Sequence, residues 1–376
     1  MFLTPKTKVW VVMSAMIGIV LLMLCTPFLI SSGTGIVPRE VVQAVFLTME
    51  FFAAIFLLNE FNRLRIIIKE KESDSKILQK IEEDVHNLSY FKSATAGMKG
   101  IILAGGTATR LFPLTITTSK QLLPIYDYQM IFYPLNTLIS AGIKDIFMIV
   151  SPENSGPFLN LLGSIFKEYG INIYFEVQKV PRGLADAFIL AEKFIGNDSV
   201  ALVLGDNIFE DNFSEAIKNF KSGGHVFAKK VSDPERSGVV KFDENNKAVQ
   251  IVEKPKEWIS DYAITGLYLY DSEVVKVAKS LAPSERGELE IVDLHNFYLN
   301  KEKLKVTVFD GEWLDAGTFD SLLEAGKIVK DKGISANFHP IIKDAVRKFN
   351  EEMKTRLKRN LEAYNIFLRE EQNKKV

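Results

Sequence analysis

From Met98 onward, short apolar runs alternate with segments of helical pattern, and this alternation is the strongest constraint on the fold. Apolar runs of about six residues are typical of strands that are buried on both faces of a sheet. The segments 130–140, 158–166 and 184–194 have the residue spacing of helices. This order predicts an α/β fold with a Rossmann-like, mostly parallel sheet flanked by helices, in which ligands bind beyond the carboxyl ends of the strands. The predicted strands are Lys99–Ala104, Asp145–Val150, Asn172–Val177 and Val200–Leu204.

The first 62 residues differ from the rest because they contain two long apolar stretches. No residue from 9 to 31 is charged, and the stretch 41–58 is interrupted only by Gln43 and Glu50. About 20 apolar residues in a helix span a hydrocarbon core of about 30 Å. Residues 1–62 are therefore predicted to form a transmembrane hairpin of two helices. A signal peptide or a buried helix is the alternative interpretation of the first stretch.

The basic residues predict the orientation of this hairpin. They flank the outer ends of both stretches, whereas the connector between the stretches carries only Arg39. Because cytoplasmic flanks are enriched in Lys and Arg, both termini should face the cytoplasm. The sequence therefore predicts a multi-pass protein of the inner or plasma membrane, with its large domain on the cytoplasmic side. The flanking basic residues are Lys6, Lys8, Arg63, Arg65, Lys69 and Lys71.

The chain after the hairpin divides into three predicted parts. Residues 63–97 are expected to form a helical spacer and linker, residues 98–330 the α/β domain, and residues 331–376 a tail with an amphipathic helix. The tail helix is expected to pack on its own domain or on a neighbouring subunit, which leaves a homo-oligomer open. Binding of this helix to a membrane surface is the alternative.

Composition excludes several classes of function. Lys and Arg number 46 and Asp and Glu 47, and the resulting net charge of −1 argues against nucleic-acid binding. The single cysteine, Cys25, excludes a disulfide framework and a multi-cysteine zinc site. The four histidines are scattered, which argues against a histidine-rich metal site.

A glycine pair follows the first predicted strand. Gly105 and Gly106 would let backbone N–H groups approach phosphate oxygens, and Arg110 and Lys120 would add cationic donors. The segment is neither a P-loop nor a dinucleotide fingerprint, because the required lysine spacing and third glycine are missing. From these residues alone, a phosphate site and an ordinary strand-to-helix turn remain equal interpretations.

Two aspartates follow apolar runs far apart in the chain. Asp206 comes directly after the strand Val200–Leu204, and Asp315 follows the apolar run 306–309. Carboxylate oxygens at the end of a buried strand suit Mg²⁺, which usually keeps several waters. Two such aspartates could share one metal ion, although an ordinary turn is the alternative for each.

Several motifs in a fixed order resemble one enzyme family. Together they are similar to those of the glucose-1-phosphate thymidylyltransferases, from Met98 to about Lys330. The hairpin and the tail lie outside this resemblance. The motifs are GGTATRL at 105–111, SKQLLPIYD at 119–127, LGDN at 204–207, EKP at 253–255, TGLY at 265–268, RGELEI at 286–291 and WLDAGT at 313–318.

The resemblance implies a Mg²⁺-dependent reaction of dTTP with glucose 1-phosphate that gives dTDP-glucose and pyrophosphate. A phosphate oxygen of the sugar would attack the α-phosphorus in line, so catalysis would depend on positioning and charge stabilisation. Arg110 and Lys120 are implied to be catalytic, and Asp206 and Asp315 to ligate Mg²⁺. The residues implied to bind the nucleotide are Gly105, Gly106, Gln121, Gln178 and Gly183. The residues implied to bind the sugar and its phosphate are Gly238, Glu253, Lys254 and Arg286.

Several positions depart from the family pattern and leave the base and the sugar open. Ala108 replaces the third glycine of the turn, which would cost about 1 kcal/mol if the position needs a positive φ. Another base or sugar, such as UTP, is one alternative function. A catalytically degenerate, membrane-tethered sensor or scaffold that binds sugar nucleotide is another. The remaining departures are Tyr128, Gln129, Arg182, Asp186 and Ser237.

Overall fold

The structure is a computed structural model that describes residues 97–106 and 108–373, without the side chains of residues 363 and 365–373. The predicted transmembrane stretches 9–31 and 41–58 lie outside the described residues, as does the spacer up to residue 96. Within the described range, no helix is both long enough and apolar enough to cross a membrane.

The described strands form one nine-stranded sheet and two small two-stranded sheets. The four strands predicted from apolar runs occur with the predicted bounds, which confirms them. The strands are Lys99–Ala104 (β1), Pro124–Ile125 (β2), Tyr128–Gln129 (β3), Asp145–Val150 (β4), Asn172–Val177 (β5), Val200–Leu204 (β6), Asn207–Phe209 (β7), Gly224–Lys230 (β8), Gly238–Phe242 (β9), Ala248–Glu253 (β10), Tyr262–Tyr270 (β11), Leu304–Val308 (β12) and Trp313–Asp315 (β13).

The large sheet has the order β10-β9-β11-β6-β1-β4-β5; β8 also pairs with β11, and β12 pairs with β8. Strands β6, β1, β4 and β5 are parallel, as the βα alternation predicts. Strand β11 is antiparallel to β6 and to β8, so the second half of the sheet is mixed. The carboxyl ends of β1 and β6 therefore lie side by side at one edge of the sheet, with Leu103 opposite Leu204.

Alternate residues of the central strands build two hydrophobic cores on opposite faces of the sheet. Ile102, Met148 and Val203 belong to one core, whereas Ile101 and Phe147 belong to the other. Successive side chains of a strand point to opposite faces, and a sheet covered on both sides must be apolar at every position. This explains why the parallel strands read as continuous apolar runs.

Helices cover both faces of the sheet. The predicted helix 130–140 begins later, at Phe132, and the predicted helix 158–166 occurs earlier, from Ser155 to Leu162. The predicted helix 184–194 is interrupted at Ala191, whose backbone leaves the helical conformation. The helices are Phe132–Ser140 (α1), Ser155–Leu162 (α2), Asp186–Leu190 (α3), Glu192–Ile195 (α4), Ser214–Lys218 (α5), Glu273–Ser280 (α6), Ile291–Asn300 (α7), Phe319–Lys332 (α8) and Pro340–Asn373 (α9).

The predicted amphipathic tail is confirmed as helix α9. Its first turns pack on the domain, where Ile342 and Ala345 are buried in the same core as β1 and β4. Asp344 accepts a hydrogen bond of 2.6 Å from the Tyr169 hydroxyl, and Lys348 forms an ion pair with Glu168 at 2.6 Å. Residues 350–362 and Tyr364 of the same helix are exposed. Its start is therefore an integral part of the domain core.

Replacing Ile342 by alanine is expected to lower the free energy of unfolding by about 2–4 kcal/mol, because it removes buried methyl groups and leaves a cavity. Leu357 is 68% exposed on the same helix. The matched variant Leu357→Ala should change the free energy by less than about 0.5 kcal/mol. Urea denaturation measures both, and equal losses at the two positions would contradict the packing of α9.

Candidate active site

The glycine turn after β1 uses backbone conformations that side chains disfavour. Gly106 has φ +109°, and Ala108 has φ 46° in the left-handed region. The sequence predicted a cost for Ala108 only if its position needs a positive φ, and the structure shows that it does. An alanine in this region costs about 1–2 kcal/mol relative to a right-handed conformation. The turn is thus built at a local cost, directly at the carboxyl end of β1.

Gln178 lies beside the glycine turn, directly after strand β5, which is separated from β1 by β4. Its Oε1 is 3.4 Å from the position that a Cβ on Gly105 would occupy. Its Nε2 donates a hydrogen bond of 2.9 Å to Asp186, whose other oxygen accepts 2.7 Å from Arg182. Because a carboxylate only accepts, the amide nitrogen must face Asp186 and the amide oxygen the turn. Gln178 and Gly106 also line one cavity of about 310 Å³.

Lys120 and Asp206 form a partly buried ion pair at the centre of the site, with side chains that are 15% and 17% exposed. The Lys120 ammonium donates to one oxygen of Asp206, and the Asn207 amide donates to the other at 3.1 Å. Burial by itself raises the pKa of the Asp206 carboxyl, but the charge and hydrogen bond of Lys120 and the bond from Asn207 outweigh it. The net pKa is therefore lowered. Asp206 is an ionised carboxylate at the end of β6.

The two-stranded sheet of β7 and β13 brings the second aspartate to the first. In this antiparallel pair Asp315 lies opposite Asn207, next to Asp206 in the chain. Burial raises the pKa of Asp315, and the negative charge of Asp206 raises it further, against the attraction of Lys120 and Arg110. The guanidinium of Arg110 lies at the same place, 3.0 Å from the Cβ position of Gly317. Residues separated by about 200 positions thus meet at one point.

The donor set at this point suits a hard divalent cation. Across the described ranges, no cluster of three or more His, Cys, Asp or Glu side chains could hold a metal by itself. Mg²⁺ commonly uses only one or two carboxylates and completes its shell with water and substrate phosphates. Asp206 and Asp315 form such a pair, and their mutual repulsion would be relieved by a cation. The predicted pair of ligands is therefore compatible with Mg²⁺ and a bound phosphate.

A second cavity, of about 160 Å³, opens beside the two aspartates. Gly238 and Glu253 lie opposite each other on β9 and β10, and Glu253 Oε2 is 3.5 Å from the Cβ position of Gly238. Lys254 follows with a positive φ of 42° and pairs with Glu253 at 3.3 Å. Three of the residues predicted to bind the sugar and its phosphate therefore surround one cavity. We call it the sugar-side cavity.

Arg286 is placed differently from the other three. It donates three hydrogen bonds to Glu290, at 2.8, 2.9 and 3.2 Å, and forms ion pairs with Glu288 at 3.5 Å and Glu253 at 3.7 Å. It does not line the sugar-side cavity. Arg286 therefore pairs with neighbouring glutamates, while the contact with Glu253 keeps it near the site.

The structure gives Gly183 a reason for its identity that does not involve a nucleotide, and it packs Gln121 against a second glycine, Gly205. Gly183 has φ +99°, and a Cβ there would lie 2.4 Å from the carbonyl oxygen of Leu289. The Gln121 side chain is buried against Gly205, where a Cβ would lie 3.1 Å from Gln121 Cγ and 2.6 Å from the Leu103 carbonyl oxygen. Gly183 and Gly205 therefore each allow two segments of backbone to approach closely. The nucleotide roles of Gly183 and Gln121 stay predictions.

The structure adds site residues that sequence reasoning missed. Asn207 Oδ1 accepts hydrogen bonds from the Gly266 backbone N–H at 3.0 Å and from the Trp313 indole at 2.6 Å. Asn207 therefore joins β6, β11 and β13 behind the aspartates. Its position next to Asp206 was the only available signal.

His295, on the buried face of α7, also lines the sugar-side cavity, and its helical spacing gives it the pattern of a core residue.

The fold and the site together define a transferase that handles phosphates. The parallel sheet ends in a glycine turn, and two cationic side chains meet two carboxylates at its edge. The chain belongs to the nucleotidyl transferase family, whose model matches residues 99–332. It is accordingly a nucleotidyltransferase.

Its relatives within that family confirm the resemblance given by the motifs. The chain is 52% identical over 248 residues to a glucose-1-phosphate thymidylyltransferase of Neisseria meningitidis, covering 64% of this chain and 86% of that one. It is 50% identical to the enzyme of Mycolicibacterium smegmatis, covering 62% and 82%.

Solved structures give the same result. A crystal structure of a Bacillus anthracis protein assigned as a glucose-1-phosphate thymidylyltransferase, in complex with sucrose, has a TM-score of 0.59 at 45% identity. It covers 62% of this chain and 96% of that one. A UDP-glucose pyrophosphorylase bound to UDP-glucose has a TM-score of 0.56 at 20% identity, covering 62% and 99%, and shows the shared fold alone.

Replacing Ala108 by glycine is expected to raise the free energy of unfolding by about 0.5–1 kcal/mol. The relief of the left-handed alanine exceeds the extra freedom that glycine has in the unfolded chain. Ala336, which has no positive φ, offers a matched control, and Ala336→Gly should lower the same free energy. Thermal and urea unfolding measure both variants. A loss of stability in Ala108→Gly would show that the turn is not strained.

Proposed function

We propose that the chain transfers a thymidylyl group from dTTP to glucose 1-phosphate, with release of pyrophosphate. The observation that carries the proposal is the meeting of Lys120, Asp206, Asp315 and Arg110 at one edge of the sheet. The identity to curated glucose-1-phosphate thymidylyltransferases supports the choice of substrates. Supporting evidence for the base also comes from Gln178, whose amide oxygen faces the glycine turn and could accept from a ring N–H of thymine.

The protein's own groups would act by positioning and by charge. A phosphate oxygen of the sugar attacks the α-phosphorus in line, so no covalent nucleophile is needed. The glycine turn offers backbone N–H donors to the triphosphate, while Arg110 and Lys120 offset the charge that builds up on the phosphates. A Mg²⁺ ion held by Asp206 and Asp315 would polarise the phosphoryl oxygens and orient the leaving pyrophosphate.

Asp206→Asn and Asp315→Asn are each expected to lower pyrophosphate release by at least about a hundredfold, because each removes one of two carboxylates available to the cation. The assay contains dTTP, glucose 1-phosphate and Mg²⁺. Asp145 lies at the opposite end of the parallel strands and accepts a hydrogen bond from Asn172. The control variant Asp145→Asn should therefore retain activity. Release that persists in both site variants would reject the proposed ligands.

The same assay separates the alternatives for the whole chain. Pyrophosphate release with dTTP supports the proposed activity. If the unchanged protein releases pyrophosphate only with another nucleotide, the fold and the site chemistry stand and the substrate is wrong. Binding of dTTP without any release would favour a sensor.

We further propose that the hairpin predicted in residues 1–62 anchors the enzyme in the membrane, with the domain on the cytoplasmic side. The support is the pair of apolar stretches 9–31 and 41–58 and the basic residues at their outer ends. Anchoring would place the activated sugar near membrane enzymes that assemble polysaccharides.

The full chain is expected to sediment with membranes and to resist extraction by high salt or alkali, because two apolar helices would cross the lipid. A chain that begins at Met98 should leave the membrane fraction. Retention of the shorter chain on membranes would instead assign the attachment to the tail helix α9. Protease treatment of sealed vesicles tests the orientation. The proposed orientation is wrong if protease cuts the domain only from the non-cytoplasmic face of the membrane.

A further inference from the structure

His295 is a buried side chain with one unused hydrogen-bonding atom. It lies on α7 and is 0% exposed. Its Nδ1 is 2.6 Å from the Tyr270 hydroxyl, whereas its Nε2 has no hydrogen-bond partner within the described part of the chain. Buried polar atoms are nearly always paired, so an orphaned one needs an explanation.

The surroundings of His295 determine which ring nitrogen carries the proton. Burial lowers its pKa to about 3, so the imidazole is neutral. Burial also raises the pKa of Tyr270, so that hydroxyl keeps its hydrogen. Among the described residues, His295 is the hydrogen-bond partner of the Tyr270 hydroxyl. The hydroxyl therefore donates to Nδ1, and the remaining proton of the imidazole sits on Nε2 as a donor.

His295 is one of the residues that line the sugar-side cavity, together with Ile291 and Val292 of the same helix. Its Nε2 is itself buried. The cationic side chains Arg236 and Lys254, which line the same cavity, are 59% and 49% exposed. The carboxylates Asp206, Glu253 and Asp315 line it as well, so the cavity combines charges of both signs with the neutral imidazole of His295.

These groups suit the two parts of a sugar phosphate. The phosphate carries the negative charge and is favoured beside the exposed cations. A neutral, buried N–H suits a neutral acceptor, and the acceptors that a hexose presents away from its phosphate are its hydroxyl oxygens. Ordered water is the competing occupant of the cavity.

We propose that the His295 Nε2–H donates a hydrogen bond to one hydroxyl oxygen of the hexose 1-phosphate and thereby selects the sugar. This rests on the proposed function, because it takes the sugar-side cavity as the site of that substrate. His295 would be a binding and specificity residue, and Tyr270 a positioning residue that acts through it.

Two substitutions separate the donor from the bulk of the ring. In His295→Asn the amide can reach the place of Nδ1 and keep the contact with Tyr270, but nothing replaces Nε2. In His295→Gln the longer amide can reach the place of Nε2. The matched control is His225→Asn, since His225 is also buried but pairs with Thr307 outside this cavity.

The expected result is a change in KM for the sugar and not in kcat. With the full chain, His295→Asn should raise KM for glucose 1-phosphate at least about tenfold, as for loss of a hydrogen bond that a site is built to make. His295→Gln should stay within about threefold of the unchanged protein. The KM for dTTP and the behaviour of His225→Asn should not change.

Deoxy sugars then identify the contact. Equilibrium binding is measured with glucose 1-phosphate and its 2-, 3-, 4- and 6-deoxy analogues. One analogue should bind the unchanged protein and His295→Asn equally, while the others keep the tenfold difference, because only that analogue lacks the acceptor. The same loss with every analogue would assign His295 to packing alone. An unchanged affinity in His295→Asn would assign its Nε2 to a bound water, and both results overturn the proposal.

Further measurements distinguish a failure of the His295 proposal from a failure of the proposed transferase activity. If His295→Asn does not fold, Tyr270→Phe takes its place, and it should weaken binding of glucose 1-phosphate with the same single analogue exempt. A Tyr270→Phe protein that binds every sugar as before overturns the proposal. If the unchanged protein binds hexose 1-phosphate but releases no pyrophosphate, the proposed activity fails while the binding series still decides the role of His295. If it binds no hexose 1-phosphate, both are wrong.

Discussion

The partly buried ion pair between Lys120 and Asp206 is the interaction on which the rest of the site depends. Two charges that are largely removed from water need each other, and breaking one half would leave an uncompensated charge. Lys120 follows the glycine turn and Asp206 ends β6, so the pair ties the turn to the edge of the sheet. Asn207 completes the shell of Asp206 and bonds Gly266 and Trp313, which holds β13 and its Asp315 in place. One electrostatic contact thereby orders four separate stretches of chain.

Departures from the family motifs are accommodated locally and leave this cluster intact. Arg182 and Asp186 pair with each other, and Asp186 fixes the Gln178 amide. Ala108 adopts a left-handed backbone, which favours glycine. The small side chain of Ser237 lies at the sugar-side cavity. These departures therefore lie around the charged cluster, whose four members Arg110, Lys120, Asp206 and Asp315 are all present.

Local pattern predicted the central strands to the residue and the helices only approximately. A parallel strand between two helix layers forms a continuous apolar run, so the ends of the run show the ends of the strand. The polar Asp145 marks the start of β4, and the flexible Gly105 follows the end of β1. Helix ends depend on packing, so the break at Ala191 has no comparable signal. The resemblance supplied the site residues, including Asp315. His295 escaped notice because a histidine on the apolar face of a helix has the pattern of core.

The sequence by itself determined the parallel βα core, the amphipathic tail helix, the family, and the set of charged residues that belong to the site, because these follow from local periodicity and from motifs in order. Only the tertiary structure decided which of these residues meet. Asp315 reaches Asp206 through pairing of β7 with β13, a contact between segments about a hundred residues apart that no local spacing encodes. Arg286 is held by glutamates near the cavity, and His295 with its unpaired nitrogen is among the residues that line it, for the same reason. Long-range pairing and burial, unlike periodicity, are properties of the folded chain.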